Sequence, residues 1–416
     1  MVVDGDENEQ LTSVGSSSAM GRMLREHWIP ALRAERIGEP DSPPVRVRLL
    51  GENFVAFRAT DGTIGFFDEA CPHRGASLAL ARNEDCSLTC IYHGWRFDVS
   101  GKLLETPSEP GDRAGFRNRV EVGHYPAVEA GGIVWVWLGA NRSAPRPAPR
   151  FGFWSLPPEQ VFSVTAVVEC NWLQVLEADL DAAHVSILHQ TEAASTHLRD
   201  TTEDAAPRSE FDYHPWGFFN AAVRDAGGKR YLRIKPLILP WYTIVPPSPE
   251  GDYLWHAFVP IDDVTTLSWY LWYNKDRPID TARFAPAFGL GLDEPDFDPD
   301  NFRRGWSIRS SFDQDRAGMK ENTSFSGIDG IALQDIAIVE SMGPLVDRSR
   351  EHLGVGDAAI ARLRALLLKS VRTFAAGDLP PSLEADVDYG AIESEALMLG
   401  DEDWRTAMRA RTAVRL

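Results

Sequence analysis

The chain has 416 residues, of which 61 are acidic and 42 basic, so its formal net charge is −19. Such a surplus of negative charge repels nucleic acid and anionic lipid, and we expect neither as a partner. No apolar run is long enough to cross a membrane, and the polar, acidic start differs from secretory and transit signals, so we expect a cytoplasmic protein.

The first third of the chain changes from helical to strand-like patterning. Residues 17–34 place Met20, Leu24 and Trp28 at helical spacing, which predicts a short amphipathic helix. We therefore expect residues 1–44 to form a helical segment that packs on the large C-terminal domain. Short β-branched and aromatic segments separated by Gly and Asp-Gly turns follow, and residues 45–145 are predicted to form a small all-β domain.

Residues 146–416 mix both kinds of element and are predicted to form the second domain, entered through a Pro-rich linker at 140–153. Alternating patterns over 230–247, 252–261 and 266–274 predict antiparallel strands. Helical spacing predicts helices over the segments 169–190, 329–343 and 357–377.

Two Cys/His pairs lie in the small domain, as Cys71-x-His73 and Cys90-x-x-His93. Two cysteines and two histidines can hold a tetrahedral zinc ion. They can also hold a [2Fe–2S] cluster with the cysteines on one iron and the histidines on the other. Because each pair is mixed and the setting is β-rich, the pattern differs from a zinc finger. Cys86 and Cys170 are read as buried small apolar residues.

The segments "CPHRGA" and "CIYHGWRFD" resemble the Rieske cluster signature of non-haem iron oxygenases. Respiratory Rieske proteins usually carry an extra cysteine in each loop, whereas this chain has Ala76 in one loop and Ile91 and Tyr92 in the other. The resemblance therefore implies a Rieske [2Fe–2S] cluster of the oxygenase kind. It also implies an α+β fold, in which the all-β Rieske domain is joined to a helix-grip (START-like) catalytic domain with a central antiparallel sheet.

A second set of candidate ligands has the order Asp181-x-x-His184-x-x-x-x-His189. Oxygen-activating iron(II) typically binds two histidines and one carboxylate. Asp181 and His184 would share a helical face, but His184 and His189 are ~140° apart around a straight α-helix. Both can reach one iron only if the helix bulges or ends near Val185–Leu188, and we predict such an irregularity.

This segment also resembles the iron-binding helix of the same oxygenases, which take their third ligand from a later helix. The resemblance favours Asp335 for that role, with Glu340 as the alternative; Asp335 could instead cap a helix. It further implies that Asp181 bridges His184 to a Rieske histidine, His93, of a neighbouring subunit. The subunits would then form a head-to-tail homotrimer or a stack of two trimers.

The resemblance is closest to the phthalate dioxygenase and aryl-ether O-demethylase branch. It implies a terminal oxygenase that uses O2 and mononuclear Fe(II) to hydroxylate or O-demethylate an aromatic compound. The chain has no Gly-rich nucleotide motif and too few cysteines for a ferredoxin domain, so NAD(P)H would act only through a separate flavin or ferredoxin-type reductase. Glu177 occupies a position at which ring dioxygenases often have Asn near the iron.

Two other functions are compatible with parts of the pattern: a Rieske electron carrier without oxygenase activity, and a zinc-stabilised ligand-binding module. The substrate class is suggested only by Arg233 and Lys235, which alternate on one face of a predicted strand. Basic side chains in an aromatic cavity would pair with the carboxylate of an aromatic acid. A strand face exposed to solvent would show the same alternation of basic residues, and this alternative remains open.

Overall fold

The computed structural model describes residues 3–111, 114–194, 196–284, 298–303 and 306–415, with side chains up to residue 410. The chain divides into two compact units. We call the first the cluster unit; it comprises Val14–Ser17 and Gly21–Ala148. The second, the large unit, comprises Met1–Ser13, Ser18–Met20 and Pro149–Leu416.

These units divide the chain near the predicted boundaries but not at them. Residues 21–44, expected in a separate N-terminal segment, group with the cluster unit. The helix predicted over 17–34 is wrong beyond Arg25, because Trp28–Arg33 forms a strand that pairs with Ile133–Trp137. All six residues of that strand are buried, so tertiary pairing overrides the helical spacing.

The cluster unit contains three small antiparallel sheets, which confirms the predicted all-β character. Their strand orders are β1-β10-β9, β2-β3-β4 and β5-β6-β7-β8. The strands are β1 (Trp28–Arg33), β2 (Val45–Leu49), β3 (Glu52–Arg58), β4 (Ile64–Asp68), β5 (Arg82–Glu84), β6 (Ser87–Thr89), β7 (Arg96–Asp98), β8 (Leu103–Glu105), β9 (Ala127–Ala130) and β10 (Ile133–Trp137).

The large unit is built on an eight-stranded antiparallel sheet, as the predicted fold class requires. Its order is β11-β17-β16-β15-β14-β13-β12, and β18 also pairs with β14. The strands are β11 (Val161–Val168), β12 (Arg208–His214), β13 (Gly217–Ala226), β14 (Lys229–Ile238), β15 (Tyr242–Val245), β16 (Tyr253–Asp262), β17 (Thr265–Tyr273) and β18 (Glu395–Leu399).

Helices cover parts of this sheet, and two of them bear out the predictions for 329–343 and 357–377. The longest packs Leu363, Leu367 and Val371 into the interior. None of the helices described is both long and apolar enough to cross a membrane. The helices are α1 (Gly5–Thr12), α2 (Ala19–Arg25), α3 (Ala114–Arg117), α4 (Trp172–Leu180), α5 (His184–Ile187), α6 (Gln190–Ala194), α7 (Thr281–Phe284), α8 (Arg316–Glu321), α9 (Ile331–Ser341), α10 (Ala358–Ala375), α11 (Pro381–Glu384) and α12 (Trp404–Arg415).

Candidate active site

A cavity of about 230 Å³ in the large unit is walled on one side by a single face of the sheet. Its lining residues include Ala222 opposite Arg233 and His256 opposite Tyr270 on neighbouring strands. Opposed residues in antiparallel strands share a face, and the next residue on that face is two positions away. The same register adds Asn220, Lys235, Leu254 and Trp272 to the wall.

The segment that carries the predicted metal ligands is not one helix. α4 ends at Leu180, Asp181 is its extended C-cap, and α5 begins only at His184. The expectation that Asp181 and His184 share a helical face is therefore wrong. α5 ends at Ile187, which confirms the helix end predicted before His189. The Asp181 carboxylate stabilises the first break, since its Oδ1 accepts a hydrogen bond from the Ala183 N–H at 2.8 Å.

Two imidazoles and one carboxylate converge at the edge of the cavity. The Nε2 atoms of His189 and His184 lie 3.0 and 3.6 Å from Oδ1 of Asp335, which α9 supplies. One ligand atom from each of the three residues lies within 4.8 Å of the others. Within the part of the chain that the structure describes, no other group of three such side chains meets this criterion. Two histidines and a carboxylate suit iron(II) with positions left open for O2.

Gln334, which the sequence interpretation missed, fixes the tautomer of His189. Its amide nitrogen donates to Oε1 of Glu192 at 2.6 Å and to the carbonyl of Ile328 at 2.7 Å, so its oxygen must face the other way. That oxygen lies 2.6 Å from His189 Nδ1 and can only accept, so Nδ1 carries the proton. Nε2 of His189 is thereby left as the ligand atom, which is the usual role of an outer-shell partner.

His184 lacks such a partner. Its Nδ1 is buried with no hydrogen-bond partner among the described residues, and Oδ2 of Asp181 lies 4.0 Å away. This separation is too long for a direct hydrogen bond. The side chain of Asp181 is 27% exposed, so its carboxylate faces both His184 and the surface.

Arg224 joins the wall of the cavity to the segment that carries the ligands. Its guanidinium donates to the carbonyls of Ala182 at 2.6 Å and Asp204 at 3.1 Å, and to Oγ of Ser186 at 3.1 Å. Burial, and then the positive charge of Arg233, lower the pKa of Arg224 to about 10. Arg224 is therefore a positioning residue for the loop before His184 and for α5.

The electrostatics of the triad favour a bound cation. Burial lowers the pKa of His184. Burial also acts to lower the pKa of His189, but the Asp335 charge outweighs it and raises this pKa. Burial acts to raise the pKa of Asp335, but the charges of the two rings outweigh it and lower this pKa. The site thus keeps its carboxylate ionised and attracts positive charge between the rings and the carboxylate, as a divalent metal requires.

Glu340, the alternative carboxylate, has other partners. It forms a buried ion pair with Arg303 and accepts a hydrogen bond from the Glu169 N–H at 2.8 Å. Glu340 does not line the cavity, whereas Asp335 does. The structure therefore brings Asp335, and not Glu340, beside the two histidines.

Glu177 also lies apart from the cavity wall. Its carboxylate pairs with Arg348 at 3.0 Å and with Arg364 at 2.6 Å, and both guanidinium groups are almost fully buried. Burial acts to raise the pKa of Glu177, but the Arg348 charge and the Arg364 hydrogen bond outweigh it and lower this pKa. Glu177 stands where ring dioxygenases often have Asn near the iron, and in this chain it belongs to a buried ion-pair network.

Of the two basic residues predicted to bind substrate, both line the cavity but only one is uncommitted. Lys235 Nζ lies 2.9 Å from Oδ1 of Asp179 and donates to the Asp179 carbonyl at 2.6 Å. Nη1 of Arg233 is buried, and in the ranges described it has no hydrogen-bond partner. Arg233 therefore offers an unsatisfied donor to whatever fills the cavity.

In the cluster unit, the two Cys/His loops share one backbone conformation. In each loop the cysteine N–H donates to the carbonyl five residues later, and the cysteine carbonyl accepts from the N–H four residues later, at 2.8–2.9 Å. The residues in the latter position are Gly75 and Gly94, with φ of +78° and +73°. Glycine adopts this region without steric cost, which accounts for both glycines in the motif.

The four side chains divide into an inner and an outer pair. Cys71 and Cys90 are buried in one hydrophobic core. The rings of His73 and His93 are partly exposed, 4.4 Å apart, and Nδ1 of His93 is buried without a described partner. No three of the four ligand atoms come within 4.8 Å of one another, as a single ion would need. The residues therefore fit a two-iron cluster better than one zinc ion.

Two family models match consecutive parts of the chain. The model described as "Rieske [2Fe-2S] domain" matches residues 27–126, and the model described as "LigXa C-terminal domain like" matches residues 136–414.

Curated relatives match along almost the whole chain. The phthalate 4,5-dioxygenase oxygenase subunit of Pseudomonas putida is 36% identical over 96% of this chain and 93% of its own length. The chain belongs to the Rieske oxygenase family. Two further relatives of this Rieske oxygenase are the 3-chlorobenzoate-3,4-dioxygenase oxygenase subunit of Comamonas testosteroni and the 5,5'-dehydrodivanillate O-demethylase oxygenase subunit of a Sphingobium species. The first is 35% identical over 97% of this chain and 98% of its own length; the second is 26% identical over 96% and 89%.

Solved Rieske oxygenase structures share the fold. The terminal oxygenase of carbazole 1,9a-dioxygenase from Novosphingobium sp. KA1 matches with a TM-score of 0.60 at 22% identity, covering 88% of this chain and 99% of that one. The reduced complex between oxygenase and ferredoxin in carbazole 1,9a-dioxygenase matches with a TM-score of 0.55 at 19% identity, covering 88% and 94%.

These findings confirm the predicted class: the chain is the terminal oxygenase component of a Rieske system acting on aromatic compounds and carries a Rieske [2Fe–2S] cluster. As an oxygenase subunit it works with a reductase. The family and its relatives support neither of the two alternative functions, an electron carrier without oxygenase activity or a zinc-stabilised module.

Besides Gln334, the sequence interpretation missed Asp179 and His256, which line the cavity and contact each other. A partial signal existed for each. Gln334 precedes Asp335 directly, and His256 is the single polar residue of an otherwise apolar alternating segment, 253–260. The partners that give these residues a role are distant in sequence, so no spacing rule could identify them.

Proposed function

We propose that this Rieske oxygenase hydroxylates, or O-demethylates, a single-ring aromatic carboxylate at an iron held by His184, His189 and Asp335. One observation carries the proposal: this triad and Arg233, whose buried Nη1 has no partner among the described residues, line the same, largely apolar cavity. Apolar walls with a few convergent polar groups are typical of small-molecule sites. The relatives named for phthalate and 3-chlorobenzoate act on aromatic acids, which agrees with this substrate class.

The triad fits the iron that the family implies. Bound Fe(II) would supply the one-electron chemistry by which O2 is used. The chain contributes orientation: Gln334 holds His189 with Nε2 towards the metal, and Arg224 holds the loop that leads to His184. Ionised Asp335 supplies the negative charge that balances the cation.

Electrons would reach this site through the Rieske cluster, for which Cys71, His73, Cys90 and His93 are the proposed ligands. The buried thiols would hold one iron and the partly exposed imidazoles the other. A separate flavin or ferredoxin-type reductase, using NAD(P)H, would supply the electrons to this cluster.

Arg233 is the proposed anchor for the substrate carboxylate. A planar guanidinium matches a carboxylate with two parallel hydrogen bonds, and burial strengthens such a pair. Arg224 stands close enough to Arg233 for their charges to repel, so an anion between them would relieve the repulsion. Lys235, already paired with Asp179, adds positive charge to the same wall of the cavity.

Asp181 is the proposed bridge to a neighbouring subunit. Its carboxylate is partly exposed and faces His184 Nδ1, and a second imidazole on its open side would complete an imidazole–carboxylate–imidazole relay. If that imidazole is the neighbour's His93, the contact is heterologous and must close into a ring. A homotrimer, or a stack of two, is the expected assembly.

Oxygen uptake with a generic ferredoxin reductase tests the proposal. The substrates are benzoate, phthalate, 3-chlorobenzoate, the methoxybenzoates, and toluene and anisole as uncharged controls; product analysis separates ring dihydroxylation from release of formaldehyde. We expect turnover of acids only. Arg233→Met should lower kcat/KM by roughly 10- to 150-fold, the loss of a hydrogen bond to a charged group, with iron and cluster content unchanged.

Arg362→Met, at an exposed position on α10, is the matched control and should behave as wild type. Equal turnover of toluene and benzoate, or an Arg233→Met enzyme with full activity on acids, would contradict the proposal.

A further inference from the structure

A histidine–aspartate pair lies in the cavity wall and takes no part in the steps described above. His256 is 93% buried, since only 7% of its surface is exposed, and its Nδ1 lies 2.8 Å from Oδ1 of Asp179. Its other ring nitrogen, Nε2, is buried and has no hydrogen-bond partner within the described chain. Both residues line the cavity that also contains the metal triad and Arg233.

The pair is held rigidly by neighbours on three strands. Asp179 Oδ2 accepts a hydrogen bond from Thr243 Oγ1 at 2.7 Å, and its Oδ1 pairs with Lys235 at 2.9 Å. The ring of His256 packs edge-on against Tyr270, with centroids 5.0 Å apart. Thr243 and Tyr270 are the residues directly opposite His256 on β15 and β17. Rotation of the imidazole would break these contacts, so the direction of Nε2 is fixed.

The charges around the pair determine which hydrogen-bonding role Nε2 has. Burial acts to raise the pKa of Asp179, but the Lys235 charge and the hydrogen bond from His256 outweigh it and hold this pKa well below its usual range. The ionised carboxylate can only accept, so Nδ1 of His256 carries a proton. Lys235 already neutralises that carboxylate. A second cation on the same oxygen would be buried without a counter-charge, which is costly. With Nδ1 donating to Asp179 and Lys235 already the counter-charge of that carboxylate, Nε2 is left on the cavity side as the acceptor of the ring.

A buried acceptor without a partner favours ligands that carry a hydrogen-bond donor at the matching position. Leaving such a group unpaired costs far more than the net gain of an ordinary hydrogen bond, so a ligand that supplies the donor is favoured over one that does not. Arg233 does not supply it, because neither Nη1 of Arg233 nor Nε2 of His256 has a hydrogen-bond partner among the described residues. The Arg233 guanidinium and His256 Nε2 are therefore expected to contact different parts of one ligand.

We propose that Nε2 of His256 accepts a hydrogen bond from a ring hydroxyl of the substrate, so that the cavity prefers hydroxylated benzoates to benzoate itself. The proposal rests on the proposed function, in which Arg233 binds the carboxylate of the same ligand. His256 is then a residue that determines specificity, and Asp179 is the positioning residue that holds its tautomer.

Binding to the iron-loaded enzyme, measured anaerobically by titration calorimetry, tests this role without turnover. The ligands are benzoate, the three hydroxybenzoates and the three methoxybenzoates, which accept but cannot donate. Wild type should bind at least one hydroxybenzoate about 5- to 100-fold more tightly than benzoate, and the matching methoxybenzoate should lose this advantage. A wild-type enzyme without preference for any hydroxyl isomer would overturn the proposal.

Three variants separate this role from the carboxylate anchor. His256→Phe keeps the ring against Tyr270 and should bring the ratio of hydroxybenzoate to benzoate affinity to about one. His256→Gln retains an acceptor and should keep part of the preference. Arg233→Met should weaken all the acids by a common factor and leave the ratio intact.

The outcomes distinguish the two proposals. A His256→Phe enzyme that keeps the preference overturns the role of His256 while leaving that of Arg233 standing. An Arg233→Met enzyme that binds acids normally overturns the carboxylate anchor, and the hydroxyl ratio still reports on His256. If His256→Phe does not fold, the comparison of hydroxyl with methoxyl ligands on wild type decides.

Discussion

At the scale of single residues, one amide controls how the metal site is prepared. Gln334 makes three hydrogen bonds, and its two donors are used on Glu192 and Ile328, so its oxygen can only accept from His189. Rotating the amide would place two donors or two acceptors face to face. The tautomer of His189 is therefore determined before any metal binds. Because the ring is already ordered, metal binding does not have to supply the free energy of ordering it.

Replacing Gln334 should weaken iron binding without affecting the cluster. Gln334→Leu removes the acceptor for His189 Nδ1–H, and we expect the affinity for Fe(II) at the triad to fall by roughly 10- to 100-fold. Competition with a chelator, followed by the metal content per chain, measures this change, and the Rieske absorbance serves as an internal reference. An unchanged affinity for Fe(II) in Gln334→Leu would contradict the assignment.

The two candidate carboxylates of α9 can be separated in the same way. Asp335→Ala should lose the mononuclear iron and oxygenase activity while keeping the Rieske spectrum. Glu340→Gln breaks the pair with Arg303 and should cost stability, but each folded chain should still bind iron. Metal content per folded chain, after size-exclusion chromatography, decides between them. Full iron in Asp335→Ala would transfer the role to another side chain.

At the scale of elements, the sequence spacing was informative because it was incompatible with a straight helix. A separation of five residues cannot direct His184 and His189 to one point on a regular α-helix, so an interruption was predictable. The second interruption, at Asp181, was not predictable, because it depends on a hydrogen bond to Ala183 and on Arg224, which arrives from β13. Long-range partners of this kind leave no local pattern.

α4 is anchored by a buried ion-pair network that the sequence did not reveal. Glu177 on α4 pairs with Arg348 and with Arg364 of α10, and Arg364 also pairs with Glu351. Removing one partner of a buried pair leaves an uncompensated charge, which typically costs about 3–5 kcal/mol. The network thus fixes the helix whose C-terminus leads into the ligand loop.

Glu177→Gln should therefore destabilise the large unit by about 3–5 kcal/mol at neutral pH. The folded-state pKa of Glu177 is lowered, so its contribution is present above the unfolded-state value of about 4.3 and is lost as pH falls through the lower folded-state pKa. The difference between wild type and variant should shrink accordingly in acid. Urea unfolding followed by tryptophan fluorescence at several pH values measures this. Glu351→Gln removes a more exposed partner and should cost less; equal losses would argue against the central role of Glu177.

At the scale of the whole molecule, the class of protein was predictable because its motifs are short and local. The Cys71 and Cys90 loops each fit within six residues, and the glycines that they need are part of the motif. The strand at Trp28–Arg33 was mistaken for a helix because its partner lies a hundred residues away. Lys235 and Arg233 are equivalent in the sequence pattern. In the structure Lys235 pairs with Asp179, whereas Nη1 of Arg233 has no partner in the part of the chain that is described.

The assembly is tested most directly by combining two chains that are inactive for different reasons. Cys90→Ser removes a proposed cluster ligand, and His184→Ala removes a proposed iron ligand, so each homomeric enzyme should be dead. In a head-to-tail ring, some boundaries of a mixed assembly join an intact cluster on one chain to an intact iron on the next. Co-expression with two different affinity tags, tandem purification and assay of oxygen uptake should therefore recover part of the wild-type activity.

The control for this experiment is Asp181→Asn, which keeps the shape of the proposed bridge but removes its charge. Adding Asp181→Asn to the chain that retains its iron should abolish the recovered activity, whereas adding it to the His184→Ala chain should not, since that chain's own iron site is already silent. Both additions should leave folding and cluster reduction near normal, because Asp181 is partly exposed and its Oδ1 contact with the Ala183 N–H can be reproduced by an amide oxygen.

Mixed assemblies that stay inactive, or an active monomer, would exclude electron transfer between subunits. Recovery that is insensitive to the position of Asp181→Asn would keep the ring but remove Asp181 from the route.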